Sequence, residues 1–252
     1  MDDTRDPKAK SLYKALRMLD YFDDSHPERG VSELALLTGE LKSTVHNILQ
    51  TFVLAGFVQK DPAGGSYRLG EKILQLSNTY YQSNPVFQNI KQDMQAISEK
   101  TGETLYFVTI TELEVLYIES AFPSRSMPAG RIMGFRAPLY CTGVGKAILA
   151  YQSEDAVNQV IDRGLTAFTQ ATITEGGALR DELRRIRQRG YAIDNMEHEY
   201  GIRCVAVPLV NKAGSCRYAV SITGPSLRMT DDRIVDYAIL LQKQLAHYAG
   251  RL

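Results

Sequence analysis

Nothing in this sequence is built to enter a membrane. No apolar run approaches the roughly 20 residues needed to span a bilayer, and the opening MDDTRDPKAK has neither a hydrophobic segment nor a cleavage site. A cytoplasmic location is therefore expected. Cysteine is scarce: Cys141, Cys204 and Cys216 are too few and too scattered for a disulfide framework, and no CxxC pair suggests a zinc clip. No cofactor and no metal are expected. An excess of one charge is missing too, since 29 Lys and Arg stand against 29 Asp and Glu, which removes any global bias toward nucleic acid or a membrane surface. Residues 1–70 alone hold nine Lys/Arg and ten Asp/Glu. A nucleic-acid face, if there is one, must be local. The chain also lacks internal repeats, low-complexity tracts and a Gly/Ser linker.

What is present is ample for two domains: 252 residues, 44% of them hydrophobic. SLYKALRMLDYFD (11–23) places Leu12, Ala15, Leu16, Leu19 and Phe22 at helical spacing behind Ser11 as a cap. Ser32 is expected to cap a short second helix that ends at Thr38-Gly39, with Glu33 in its first turn where the dipole favours an anion. A third helix follows, then FVQK, the turn DPAGGS and YRLG, two short strands around a Gly-rich hairpin. Residues 71–85 read as a helical connector, and a helix over about 86–100 ends at Gly102. Beyond it the period changes: TLYFVTI and EVLYIESA read as strands, with a loop SRSMPAG and a third strand near RIMGF. Helices are expected in CTGVGKAILAYQ, near 153–163 and over 175–189. Strands GYAID, CVAVPLV and CRYAVSITG come next, and a last helix runs from a Thr230 cap to about Ala249. Strands in runs before and after helices indicate a mixed α/β domain that is not doubly wound.

The third helix poses a question. In LKSTVHNILQTFVLAGFV (41–58), Val45, Ile48, Leu49, Phe52 and Val53 form a core-facing stripe, while the other side carries Lys42, Ser43, Thr44, His46, Asn47, Gln50 and Thr51. A plain amphipathic helix with Ser43 as N-cap would show the stripe, but its solvent side would usually carry Glu and Lys. Short neutral hydrogen-bonders suit base edges and thymine methyls in a major groove, and Glu would be repelled by phosphates. Lys42, Ser43 and Thr44 at the helix start can meet phosphate through side chains, N–H groups and the dipole. The hairpin then becomes a wing with Lys60 and Arg68 as its charges. The order of elements favours a winged helix-turn-helix over residues 1–70.

SLYKALRMLDYF, SELALLTGELKSTVHNILQTFVLAGFV and YRLG resemble the DNA-binding half of the IclR family of bacterial transcriptional regulators. RAPLYCTGVGKAILA, RQRGYAIDNMEHEYGIRCVAVPLV and AVSITGP resemble that family's effector domain, and together the blocks cover about residues 10–250 in order. Tyr140 stands where the family commonly has His, and Asn47 where Arg is frequent. The resemblance implies an α+β chain: a winged helix-turn-helix, a helical connector, and a GAF-like effector-binding domain over 86–252. The expected function is a ligand-responsive regulator, a repressor of a catabolic operon. Such a homodimer or tetramer would bind double-stranded operator DNA and sense a small organic acid.

Within the second domain, CTGVGKAILA invites a phosphate-loop reading that fails, because Tyr140 and Ala147 stand where Gly and Ser or Thr are required. Its small residues suit a helix N-terminus whose N–H groups at Gly143 and Val144 receive a carboxylate, or a turn that only packs tightly. Matching the family's effector pocket onto the chain points to the same turn and adds Ser126, Ala129, Asp194, Ile202, Cys204, Ser221 and Thr223. Ser221 and Thr223 lie two apart on a strand and so share a face. Ile202 and Cys204 do likewise, and Asp194 can accept from a ligand hydroxyl. The alternative is a binding module or hydrolase using Cys204 with His198 and no DNA role. DNMEHEYGIRC gathers the groups for a nucleophile–base pair or a metal, but no nucleophile elbow, paired catalytic carboxylates or cofactor fingerprint accompanies them. No catalytic residue is assigned.

Overall fold

The computed structural model describes residues 7–124, 133–248 and 250, and divides into two compact units, Met1–Asn84 and Pro85–Leu252. In the first, α1 (Lys10–Met18) runs into a single 3-10 turn (Leu19–Tyr21). It is followed by β1 (Glu28–Arg29), α2 (Val31–Thr38), α3 (Lys42–Leu54), β2 (Val58–Lys60), β3 (Tyr67–Leu69) and α4 (Lys72–Gln82). Val45, Leu49 and Phe52 of α3 are buried, with Ile48 and Val53 packed beside them, so the expected stripe faces a core shared with Met18, Leu34, Val58 and Tyr67. Gly39, at φ +71°, closes α2 in the left-handed conformation that glycine adopts without strain.

Two expected caps differ from the sequence reading, and one alternative cap is removed. α1 starts at Lys10 behind Ala9, so Ser11 lies inside the helix. α2 starts at Val31 behind an extended Gly30, so Ser32 sits in the first turn and caps nothing. The residue before α3 is Leu41, again without a side-chain cap, so the Ser43 N-cap of the plain amphipathic alternative is absent. The wing also carries a third strand: β1 pairs with β3, Glu28 opposite Arg68, giving the order β1-β3-β2. Two residues are too few to show an alternating pattern.

The second unit opens with α5 (Pro85–Thr101), which ends before Gly102 at φ +72°. β4 (Thr104–Thr111), β5 (Glu114–Ala121) and β6 (Arg136–Pro138) precede α6 (Gly143–Leu149), α7 (Glu154–Asp162) and α8 (Gly176–Arg189). β7 (Ala192–Asn195), β8 (Ile202–Val210), β9 (Cys216–Pro225), α9 (Asp231–Leu245) and a 3-10 turn (Ala246–Tyr248) complete it. The six strands form one antiparallel sheet in the order β6-β5-β4-β9-β8-β7. The third strand lies later than expected, at 136–138, because Gly134 and Phe135 first make a turn hydrogen-bonded to Tyr117; Arg131 and Ile132 lie outside the described residues, as does Ala249. Thr230 does cap α9, its hydroxyl accepting from the Arg233 N–H at 3.5 Å.

Alternation along the central strands decides which side chains meet which helices. Phe107 and Tyr218 point to the face where Phe87 of α5 packs, at ring separations of 5.3 and 5.8 Å. Tyr106, Ser221, Thr223, Cys204 and Ala206 point to the other face, because Tyr106 is opposite Ser221, Ala206 opposite Ser221, and Cys204 opposite Thr223. The start of α6 lies against that face: a Cβ on Gly143 would run into the Cys204 Sγ and lie 3.6 Å from the Ala206 Cβ.

Two candidate functional sites

On α3, Lys42, Ser43, His46 and Asn47 are exposed, and Thr44 is half-buried at the helix start. With no side-chain cap, the first N–H groups of this 13-residue helix are open beside Lys42 and Ser43. Gln50 differs from the expectation: its Nε2 donates to the Tyr67 hydroxyl at 3.1 Å, so the side chain braces α3 against the wing rather than standing free. Lys60, across the hairpin from Tyr67, lies 6.0 Å from its ring centre, and Arg68, on the opposite face, donates to the Gln59 side-chain Oε1 at 3.3 Å; both cations are exposed. The polar side of α3 is thus linked to Lys60, but not to Arg68, through the buried Tyr67.

In the second unit a cavity of about 500 Å³ brings together Gly143, Val144, Asp194, Ile202, Cys204, Ser221 and Thr223. Ser126 and Ala129 lie outside the described residues. The Ser221 and Thr223 hydroxyls stand 3.3 Å apart. The helix start offers less than expected. The Thr142 hydroxyl takes the Gly145 N–H at 3.1 Å, the Thr142 carbonyl takes that of Lys146, and the Gly143 N–H is drawn to the Cys204 sulfur, together with that of Asp194. Val144 keeps an N–H with no intrahelical partner.

Beneath the cavity lies a buried ionic cluster. Lys146, 1% exposed, forms an ion pair with Glu197, whose second oxygen Oε2 has no hydrogen-bond partner. The Glu197 N–H in turn donates to the Asp194 Oδ1 at 2.7 Å. Burial pushes the Asp194 carboxyl up to about 7; the Glu197 backbone bond opposes this and the neighbouring Glu197 charge adds to it. Burial likewise raises Glu197, against the pull of Lys146. The lysine that looked like part of a phosphate loop is therefore an internal counter-charge.

The remaining wall residues were not singled out as binding residues in the sequence: Tyr106, Tyr117, Phe135, Thr142, His198 and Glu199. Tyr106 and Tyr117 meet edge to face, 5.4 Å apart at 87°. Their place follows from the β4–β9 register, which periodicity within one strand does not reveal. The proposed Cys204–His198 chemistry is disfavoured, since burial pushes the Cys204 thiol up to about 12 and lowers His198, leaving a neutral thiol where a nucleophile would need a thiolate. Among the described residues no group of three or more His, Cys, Asp and Glu is placed to hold a metal, and no helix is long and apolar enough to cross a membrane.

Residues 78–247 match the family described as "Bacterial transcriptional regulator IclR C-terminal", and residues 11–62 match the "IclR helix-turn-helix domain". The chain belongs to the IclR family. It is 32% identical to the transcriptional regulator XynR of Escherichia coli K12 over 238 residues, 94% of either chain. It is 29% identical to the transcriptional repressor IclR of the same organism, covering 94% of this chain and 87% of that one. The crystal structure of an IclR transcriptional regulator from Alicyclobacillus acidocaldarius superposes with a TM-score of 0.88 at 25% identity, covering 97% of this chain and 99% of that one. The protein is thus a DNA-binding transcriptional regulator of IclR type, a winged helix-turn-helix joined to a mixed α/β domain, and repressors are among its relatives.

Proposed function

We propose that this IclR-family chain is a cytoplasmic homo-oligomeric repressor of a catabolic operon whose affinity for its operator changes when a small organic acid enters the 500 Å³ cavity of the second unit. The observation that carries the reading is the convergence of the Ser221 and Thr223 hydroxyls, 3.3 Å apart, with Asp194 on a largely aromatic and aliphatic lining. Two hydroxyls on one strand face can both donate to one carboxylate. Asp194 supports this in its protonated form, as a donor; ionised, it would repel the ligand. Because its carboxyl is held near 7, acid binding draws a proton with it. The residues assigned to DNA are Lys42, Ser43, Thr44, His46 and Asn47 on α3, with Lys60 and Arg68 on the wing, and Gln50 as a brace. A near-neutral domain binds weakly alone, so two copies on a palindromic site supply the contacts.

A thermal-shift screen of small carboxylates at pH 6 tests the reading. A ligand present at about 100 times its dissociation constant stabilises by about 2.7 kcal/mol. The shift should be lost in Ser221→Ala at the same concentration. A ligand set restricted to cations or wholly apolar molecules would refute it.

A further inference from the structure

A second lobe, of about 340 Å³, adjoins the cavity across a sill made by Tyr106, Ile202 and Thr223, which line both. It is a continuation along the same sheet face toward the strand ends. Thr104 lies directly opposite Thr223, and Ile202 opposite Pro225, so Thr104 sets a third hydroxyl-bearing position on the adjacent strand, beside Thr223 and on the side of the second lobe. At the far end stands Arg228, half-exposed, whose Nε and one terminal nitrogen donate to Glu103 at 2.7 and 2.6 Å. Glu103 is 2% exposed, and Gly224 alone lets it lie there, since a Cβ at that position would collide with its carboxylate.

This ion pair is fixed and its net charge is zero. Two of the five guanidinium N–H groups serve Glu103, which leaves the rest to a ligand at the mouth of the lobe. A neutralised guanidinium beside a threonine suits a neutral oxygen better than a second anion, which would find no uncompensated positive charge among the described lining residues. The run from Ser221 to Pro225 spans about 13 Å at the usual rise per residue, beyond the reach of a three-carbon acid.

We propose, resting on the reading of the first lobe as the carboxylate site, that the effector is an elongated hydroxylated acid. Its carboxylate lies at Ser221 and Thr223, and its hydroxylated tail crosses the sill to Thr104 and Arg228. Thr104 and Arg228 then set the preferred chain length, and Tyr106 is the wall over which the chain passes.

Calorimetric titration of the full-length protein with glycerate, gluconate and adipate tests this. Gluconate should bind at least tenfold more tightly than glycerate, and adipate, equally long but without hydroxyls, should not share the advantage. Thr104→Val and Arg228→Lys, the latter keeping a cation beside Glu103, should each reduce the gluconate advantage to threefold or less. If Arg228→Lys fails to fold, Thr104→Val decides alone. Glycerate binding with no gain for gluconate, a gain that survives Thr104→Val, or adipate matching gluconate would overturn the second lobe while leaving the carboxylate site standing. Binding of none of the three acids would overturn both.

Discussion

The Gln50 amide and the Tyr67 hydroxyl, 3.1 Å apart, tie the middle of α3 to the central strand of the wing. Tyr67 is buried and Asn47 is exposed, so two polar residues of one helix have different roles. Asn47→Ala should leave thermal stability within error and weaken specific operator binding by about 1–3 kcal/mol if its base contact is bidentate. Gln50→Ala should instead lower stability by about 1 kcal/mol as well as affinity, since it strands a buried hydroxyl. Thermal melts and competition binding at fixed salt, on a genomic fragment enriched by the protein itself, separate the two. Equal melts together with unchanged affinity for Asn47→Ala would remove the assignment.

Gly143 and Cys204 are in closest approach across the cavity floor, where a Cβ on Gly143 would overlap the sulfur. Gly143→Ala should cost about 1–3 kcal/mol by overpacking, and Cys204→Ala in the same chain should recover most of it, a coupling expected only of touching residues. Denaturant unfolding of the isolated effector domain would confuse this with any loss of folding, so the full chain is used. Additive effects would show that the approach is not tight.

The Asp194 carboxyl, held at about 7 by burial, makes stability depend on pH with a definite sign. Below pH 3.8 both folded and unfolded forms are protonated, so the penalty is absent. Between 3.8 and about 7 the unfolded chain ionises while the folded one does not, and stability falls as pH rises through that window. Above it the loss is complete. Asp194→Asn, which can keep the acceptor for the Glu197 N–H, should therefore gain stability relative to wild type on going from pH 4 to pH 8. Acid affinity in wild type should fall over pH 6–8 and should not in the variant. Parallel pH profiles of wild type and variant would contradict the assignment.

Lys146 and Glu197 form a pair that is worth little by itself but costly to break. Lys146→Met should destabilise by about 3–5 kcal/mol, because it leaves Glu197 and Asp194 together without a counter-charge. Lys146→Met combined with Glu197→Gln should be markedly less harmful than the sum. Urea unfolding of the three variants gives the answer, and a double variant as unstable as the sum would show that the two residues act independently.

Much of this was legible from residue spacing. The α3 stripe predicts its buried side because period 3.6 is a local property, and Thr230 with two aspartates behind it announces the start of α9. The misplaced caps at Ser11 and Ser32 arise because a helix start can be set by Ala9 or an extended Gly30 as well as by a hydroxyl. The Lys146–Glu197 pair joins residues 51 apart and Arg228–Glu103 residues 125 apart. Such contacts depend on strand order, which no local pattern contains. Seven of the nine effector positions inferred from family resemblance line one cavity, but the two tyrosines and the second lobe beside them follow only from register.

The coupling of the two units in function is the centre of the account, and fluorescence anisotropy measures it most directly. An enriched operator fragment is titrated with protein at fixed salt and pH 6, with and without a saturating acid from the screen. Wild type should change its operator affinity by at least tenfold on adding the acid, and Ser221→Ala should bind the same operator without acid yet fail to respond. Wild-type operator affinity that is unmoved by an acid shown calorimetrically to be bound would contradict it.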